Sequence, residues 1–242
     1  MKLLLPGIVF AAAAFAAPAD SLLGISLVHD KSGASVSVPM QIVLLMTLLT
    51  VLPAILMSLT PFLRMTVVLH FLRQALGTQT TPSNQVLVGL ALFLSLVVMQ
   101  PVTKQIYDQS WEPLENGKIS PPEAWTRASA PMKTFLLKFA REKDIQLFLE
   151  VSHAPAPAGP SDLPLSVLAP AYVLSELKAA FQIGAVLFLP FLVIDLVVAS
   201  VTLSVGMVQL PPVMVSAPFK VLLFVLVDGW NLVVGSLVKS FY

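Results

Sequence analysis

The sequence predicts an all-α integral membrane protein, built of kinked helical hairpins with a small helical extracytoplasmic segment. Three observations carry that reading. Hydrophobic residues make up 57% of the 242-residue chain and charged residues 11%, with a mean hydropathy of +0.87. Apolar runs close to or beyond the ~20 residues of a bilayer-spanning helix recur at 41–63, 86–102, 179–208 and 219–238. The charges are also segregated. Of the 27 Lys, Arg, Asp and Glu, 15 fall between Val102 and Pro170, so that stretch alone is suited to water.

Residues 1–19, MKLLLPGIVFAAAAFAAPA, read as a signal peptide. Lys2 supplies a basic start, Leu3 to Phe15 an apolar run, and Ala14-Phe15-Ala16 and Ala17-Pro18-Ala19 fit the small-x-small cleavage rule. Cleavage directly before Pro18 is disfavoured, which leaves cuts after Ala16 or Ala19. The competing reading is an uncleaved apolar helix. Residues 20–40 are polar and contain Ser and Gly, the composition of a mobile leader.

A first helical hairpin is expected over 41–102. Its first arm, Gln41 to Leu63, contains Pro53 and Pro61, read as kinks. Proline removes a backbone donor, which a membrane helix tolerates when neighbours satisfy the freed carbonyl. The pattern runs on past Arg64, His70 and Arg73 to a stop at Gly77. These three bases have no acid between them. They read either as a topogenic cluster favouring a cytoplasmic connection or as partners for acids of neighbouring subunits. Thr81 is placed to cap the next helix with Pro82 at its first position. That helix, Val86 to Val102, is expected to end at Gln100-Pro101 and is short for a simple span.

Residues 103–169 form the charged helical segment, expected in the periplasm. Ser120-Pro121-Pro122-Glu123 has the form of a capping box. Met132, Phe135, Leu136 and Phe139 make one apolar face, continued by Ile145, Phe148 and Leu149. Ser152 to Pro164 is a Pro/Ala linker, and Arg141 to Asp144 a solvated charge run.

The second hairpin is expected over 170–242. It opens amphipathically with Glu176 and Lys178, then is almost wholly apolar from Ala179 to Val208. As one helix this run is ~45 Å long, more than a bilayer core. Asp195 lies near its middle, just after Pro190. An unpaired carboxylate at that depth costs several kcal/mol, so Asp195 must face protein or water. The rod breaks at Gly206-Met207-Val208-Gln209, before Leu210-Pro211-Pro212. The last apolar run, Phe219 to Val238, carries Lys220, Asp228 and Asn231. Asp228 and Asn231 stand three apart and share one face, a polar patch within an apolar helix that should meet a polar partner.

Several chemistries are excluded. There is no cysteine, and the three histidines lack ligand spacing. No phosphate loop, dinucleotide-binding glycine pattern or nucleophile elbow occurs. A net charge of +1 gives no basic face for nucleic acid. Asp195 and Asp228 could pair as an intramembrane protease dyad, but the residues beside them do not match that pattern. A proton-coupled transporter is the better rival, because relays use buried acids. No catalytic residue, metal site or cofactor is expected.

A set of stretches resembles the FliP family of flagellar type III export-gate proteins, whose injectisome counterpart is SctR. The carrying residues are Leu52-Pro53-Ala54-Ile55-Leu56, Leu76-Gly77-Thr78, Pro82-Ser83-Asn84-Gln85-Val86-Leu87 and Gly89 to Leu94. They continue through Pro170-Ala171-Tyr172, Ser175 to Lys178, Ala180 to Gly184, Pro190-Phe191-Leu192 and Ile194 to Val197. Pro218-Phe219-Lys220 and Leu223 to Trp230 complete the set.

The resemblance implies a non-enzymatic core subunit of an inner-membrane protein-export channel in the flagellar basal body, largely exposed to the periplasm. It implies a homo-oligomer, pentameric in the family, wound with FliR-type and FliQ-type subunits. FlhB- and FlhA-type export components, unfolded protein substrates and membrane lipid are the other implied partners; nucleic acid is not one. Arg64, Arg73, Glu176, Lys178, Asp195, Lys220 and Asp228 become buried or interfacial charges. Gly206, Met207, Val208 and Gln209 match the place where the family often carries a run of methionines forming a gasket. Only Met207 of that run is kept here, and ordinary packing is the competing role for it. The leader and the long charged middle resemble the flagellar branch more than the injectisome branch.

Overall fold

The structure is a computed structural model and describes residues 38–78, 80–153, 157, 159, 162–206 and 211–242. The expected signal peptide and nearly all of the expected leader lie outside the described residues, as do Met207, Val208 and Gln209. The described residues form α-helices and one π-helical turn, with no strand among them, as an all-α membrane protein requires. The helices are α1 (Val38–Ser58), α2 (Phe62–Ala75), α3 (Asn84–Ile106), α4 (Glu112–Glu115), α5 (Pro121–Phe139), α6 (Glu142–Ser152), α7 (Leu165–Ser204), α8 (Pro212–Leu226) and α9 (Gly229–Lys239). The π-helical turn, Tyr107–Trp111, joins α3 to α4.

The chain divides into two compact units at Leu52/Pro53, inside α1. Of the first unit the described part is the start of α1, which leaves Met40, Val43, Leu44, Met46 and Leu49 exposed. The second unit is centred on α2 packed against the first half of α7. Met65, Val68, Leu69 and Leu72 recur at three- and four-residue spacing and are fully buried. They meet Leu168, Tyr172 and Ala180 of α7. From α3, Leu87, Ala91, Leu94 and Val98 close one side. From α5, Phe135 and Leu136 close another, with Met132 and Phe139 packed against the same core. Gly184 permits the tight approach of α2. A Cβ there would stand 2.5 Å from Phe71 Cδ2.

Among the described residues two helical stretches are long and apolar enough to cross a membrane, Asn84–Glu115 and Leu165–Ser204, and the bent pair α8–α9 supplies a third if it is one span. The two halves of α7 differ. Toward its start Val167, Leu168, Ala171, Tyr172, Ser175, Glu176, Ala180 and Gly184 are buried, whereas beyond Gly184 only Phe191 and Thr202 are. At 40 residues α7 is ~60 Å long, about twice a bilayer core.

Several expectations need correction. Pro61 does not kink a helix; it stands at the N-cap of α2, after a break that ends α1 at Ser58. The ring's fixed φ suits it to starting a helix better than to continuing one. Pro53 and Pro190 do lie inside helices. Ser83, not Thr81, occupies the N-cap of α3. That helix runs through Pro101 to Ile106, because the packing of Val98, Met99 and Val102 outweighs one missing backbone bond. Ser120 caps α5 by position alone, without a side-chain hydrogen bond. The supposed boundary at 169/170 falls within α7, which begins at Leu165. The last apolar run is not one helix but α8 and α9, bent by 68° at Val227–Asp228.

Candidate functional site

Among the described residues, two ion pairs join α7 to other helices of the second unit. The first lies in the covered half. Arg64 of α2 donates from Nε to Glu176 Oε2 at 2.8 Å, and its Nη2 pairs with Oε1, making a two-pronged contact. Its remaining arm, Nη1, donates to Ser240 Oγ at 2.9 Å, just beyond the end of α9. The Phe241 ring lies under the guanidinium at 3.9 Å, with Phe139 further off at 5.7 Å. Glu176 is 0% exposed and Arg64 6%. One layer thus ties α2, α5, α7 and the end of α9 together, and both ions are satisfied from within the chain.

The second pair lies in the uncovered half. Lys220 of α8 donates to Asp195 Oδ2 at 2.6 Å, and Ser216, one turn earlier on α8, donates to Asp195 Oδ1. Lys220 is 3% exposed, but the Asp195 side chain is 33% exposed. Leu192, Val193, Leu196 and Val197 around it are exposed apolar residues. A shallow apolar groove of about 240 Å³ opens nearby, between Ile194 of α7 and Phe219, Leu222, Leu223 and Leu226 of α8.

The other charges singled out by sequence lie elsewhere. Arg73, half-buried, donates from Nη1 to Asn84 Oδ1 at 2.6 Å and to the Pro82 carbonyl at 3.2 Å, bracing the α2–α3 turn. Lys178 is exposed. Asp228 is exposed at the α8–α9 bend and accepts from Asn231 Nδ2 at 3.2 Å. Gly206 has φ +81°, a left-handed turn that glycine takes without a side-chain penalty.

Sequence reasoning missed Ser216, Ser240 and Phe241. Ser216 had a signal, the i,i+4 spacing to Lys220 on one helix face. The last residues of the chain carried none.

Chemically, the site neutralises acids rather than deploying them. Glu176 and Asp195 stand nineteen residues apart on one helix, ~28 Å along its axis, and cannot converge on one bond. Asp195 and Asp228 take separate partners. Among the described residues no cluster of three or more His, Asp or Glu could hold a metal ion.

The FliP family model matches residues 45–237. A flagellar biosynthetic protein FliP of Bacillus subtilis is 48% identical over 217 residues, covering 90% of this chain and 98% of that one. The protein of the same name from Cereibacter sphaeroides is 50% identical over 218 residues, 90% of this chain and 72% of the other. That of Pectobacterium carotovorum is 50% identical over 212 residues, 88% and 82%.

Proposed function

The chain belongs to the FliP family, and from that premise we propose that it is a core subunit of the flagellar type III protein-export gate. In this reading it is a non-enzymatic component of the path by which unfolded flagellar proteins cross the inner membrane. Copies of it wind together with FliR-type and FliQ-type subunits, next to FlhB- and FlhA-type components, in a basal body largely exposed to the periplasm.

The observation that carries the reading is the uncovered half of α7. Of the most apolar 18-residue window of α7, only 11% is buried within the chain. The half-open Asp195 sits on that face. A carboxylate in such a belt requires protein beside it rather than lipid. Neighbouring subunits of a gate supply that protein. The flagellar assignment, over the injectisome one, is supported by relatives that carry flagellar names across most of this chain.

The experiment is copurification of the tagged chain with its FliR-type and FliQ-type partners, imaged as single particles. A closed ring or cone with several copies of the chain is expected. Monodisperse single chains under the same conditions would rule the reading out.

The constriction is assigned, on the same reading, to Met207 with Val208 and Gln209. Support comes from Gly206, whose left-handed φ ends the rod there, and from Pro211 and Pro212, which prevent its continuation. Thioethers are unbranched and adaptable, so a ring of them seals yet yields to a passing chain. Gln209 makes this seal more polar than one of methionine alone. Deleting 207–209 should raise ion conductance and slow growth while the complex still assembles. Unchanged conductance in an assembled deletion variant would move the seal to another subunit.

A further inference from the structure

We propose that the turn between α8 and α9 is a locked elbow. The Phe224 ring, lodged on Gly229, holds α9 folded back so that Ser240 and Phe241 cap the Arg64–Glu176 pair, and displacing that ring uncaps the pair.

The elbow is built from few parts. Helix α8 ends where Val227 N donates to Leu223 O and Asp228 N to Val225 O, each at 3.1 Å. Asp228 takes φ +51°, and α9 starts with Leu232 N donating to Asp228 O. The bend is 68°. Phe224 reaches across it. A Cβ on Gly229 would stand 2.2 Å from Phe224 Cδ2 and 2.3 Å from Cε2, so the ring occupies the space any other residue would need. Trp230 closes edge-on to the same ring at 5.4 Å, and Phe191 of α7 backs it at 6.4 Å. The ring is thus clamped between α7 and the first residues of α9.

The far end of α9 has little tolerance. The helix has 11 residues, so it is ~16 Å long, and a swing of ~10° at the elbow displaces its end by ~3 Å. That is as long as the 2.9 Å bond from Arg64 to Ser240. The Lys138 Nζ contact to the Phe241 carbonyl, already 3.4 Å, would break as well. In the folded-back position Leu237 is 2% and Phe241 3% exposed. The joint therefore has one position in which α9 caps the buried charges, and departure from it uncovers Leu237, Phe241 and Arg64 together.

The absence of cysteine permits a direct test with the full chain in detergent. Leu237→Cys supplies a single thiol on α9, and Leu72→Cys, at a fully buried position on α2, supplies a control. The readout is the rate of maleimide labelling. Both thiols should react slowly in otherwise unchanged chains. Adding Gly229→Ala should speed Leu237→Cys by about ten- to a hundredfold, the range an overpacking clash implies. The Leu72→Cys rate should not change. Phe224→Leu with Gly229 intact takes the ring out of the clamp and should speed labelling at 237 in the same way. An unchanged rate at 237 with Gly229→Ala would overturn the lock. So would fast labelling in Leu237→Cys alone, an unchanged rate at 237 with Phe224→Leu, or equal acceleration at position 72.

Discussion

Arg64–Glu176 and Lys220–Asp195 each join α7 to another helix through a base and a carboxylate, yet their surroundings are opposite. The first is walled by α2, α5 and the end of α9, with every arm of the guanidinium engaged. The second is sealed on the lysine side and open on the aspartate side, among exposed leucines and valines. An ion pair gains enough to offset desolvation only when its remaining donors and acceptors are met. The first pair meets that condition inside one chain. The second leaves part of it to whatever covers α7. The difference separates the half of α7 that is covered within the chain from the half that is left exposed, and the two pairs mark that division.

The largest expected effect breaks the covered half. Glu176→Ala leaves the Arg64 guanidinium buried without its carboxylate, which costs about 3–5 kcal/mol. The isolated chain should lose its cooperative thermal transition in detergent, or have it strongly lowered. The double replacement Arg64→Met with Glu176→Leu removes both ions and should recover most of that stability. A single variant as stable as the parent would show that the pair is dispensable to the chain's own fold.

Asp195→Ala probes the open half. It strands the 3%-exposed Lys220 ammonium, but that flexible stem can turn its head toward the opening the aspartate leaves, so the isolated chain should lose about 1–3 kcal/mol, less than with Glu176→Ala. The same substitution should reduce assembly far more than it shifts melting of the lone chain. Density-gradient profiles of the complex, set beside melting of the purified chain, measure the two. Equal losses in both would make Asp195 an ordinary internal partner. An intact complex that no longer exports would point to proton transfer at Asp195.

What could be read from the sequence divides along physical lines. Helix content and membrane character follow from local periodicity and run length, and both were legible. Arg64 and Glu176 stood out as charges in apolar surroundings, but 112 residues separate them and no spacing rule pairs them. Lys220 and Asp195 face each other across a break in the rod, equally without a signal. Local rules misled where packing overrode them. Pro101 read as a helix end and Pro170 as a helix start, and both lie inside helices, because buried neighbours compensate for one lost bond. Asp228 read as part of a continuous apolar helix. The signal for the break was present in Asp228-Gly229, a dipeptide that marks turns, but the apolar run on either side of it outweighed it. Sequence also placed Lys178 and Asp228 among the buried or interfacial charges, and within the chain both are exposed.

That last grouping sets the smallest and sharpest test. Asp228 has φ +51° and ψ +50°, the left-handed region, where Asn is among the few non-glycine residues that fit well. Its side chain is exposed and, among the described residues, accepts a hydrogen bond from Asn231 at 3.2 Å. Asp228→Asn keeps the backbone preference and removes the charge, so the isolated chain should change by less than about 0.5 kcal/mol, as for an ordinary surface position. Asp228→Ala removes the charge and the left-handed tolerance together, and should cost about 1–2 kcal/mol through strain at the bend. Thermal melting of the two variants side by side separates the roles. If Asn is as damaging as Ala in the isolated chain, the carboxylate has a partner within the fold, and Asp228 belongs with Glu176. If both are mild alone but Asn still weakens the assembled complex, its charge is met by a neighbouring subunit, and Asp228 belongs with Asp195 on the open side of the molecule.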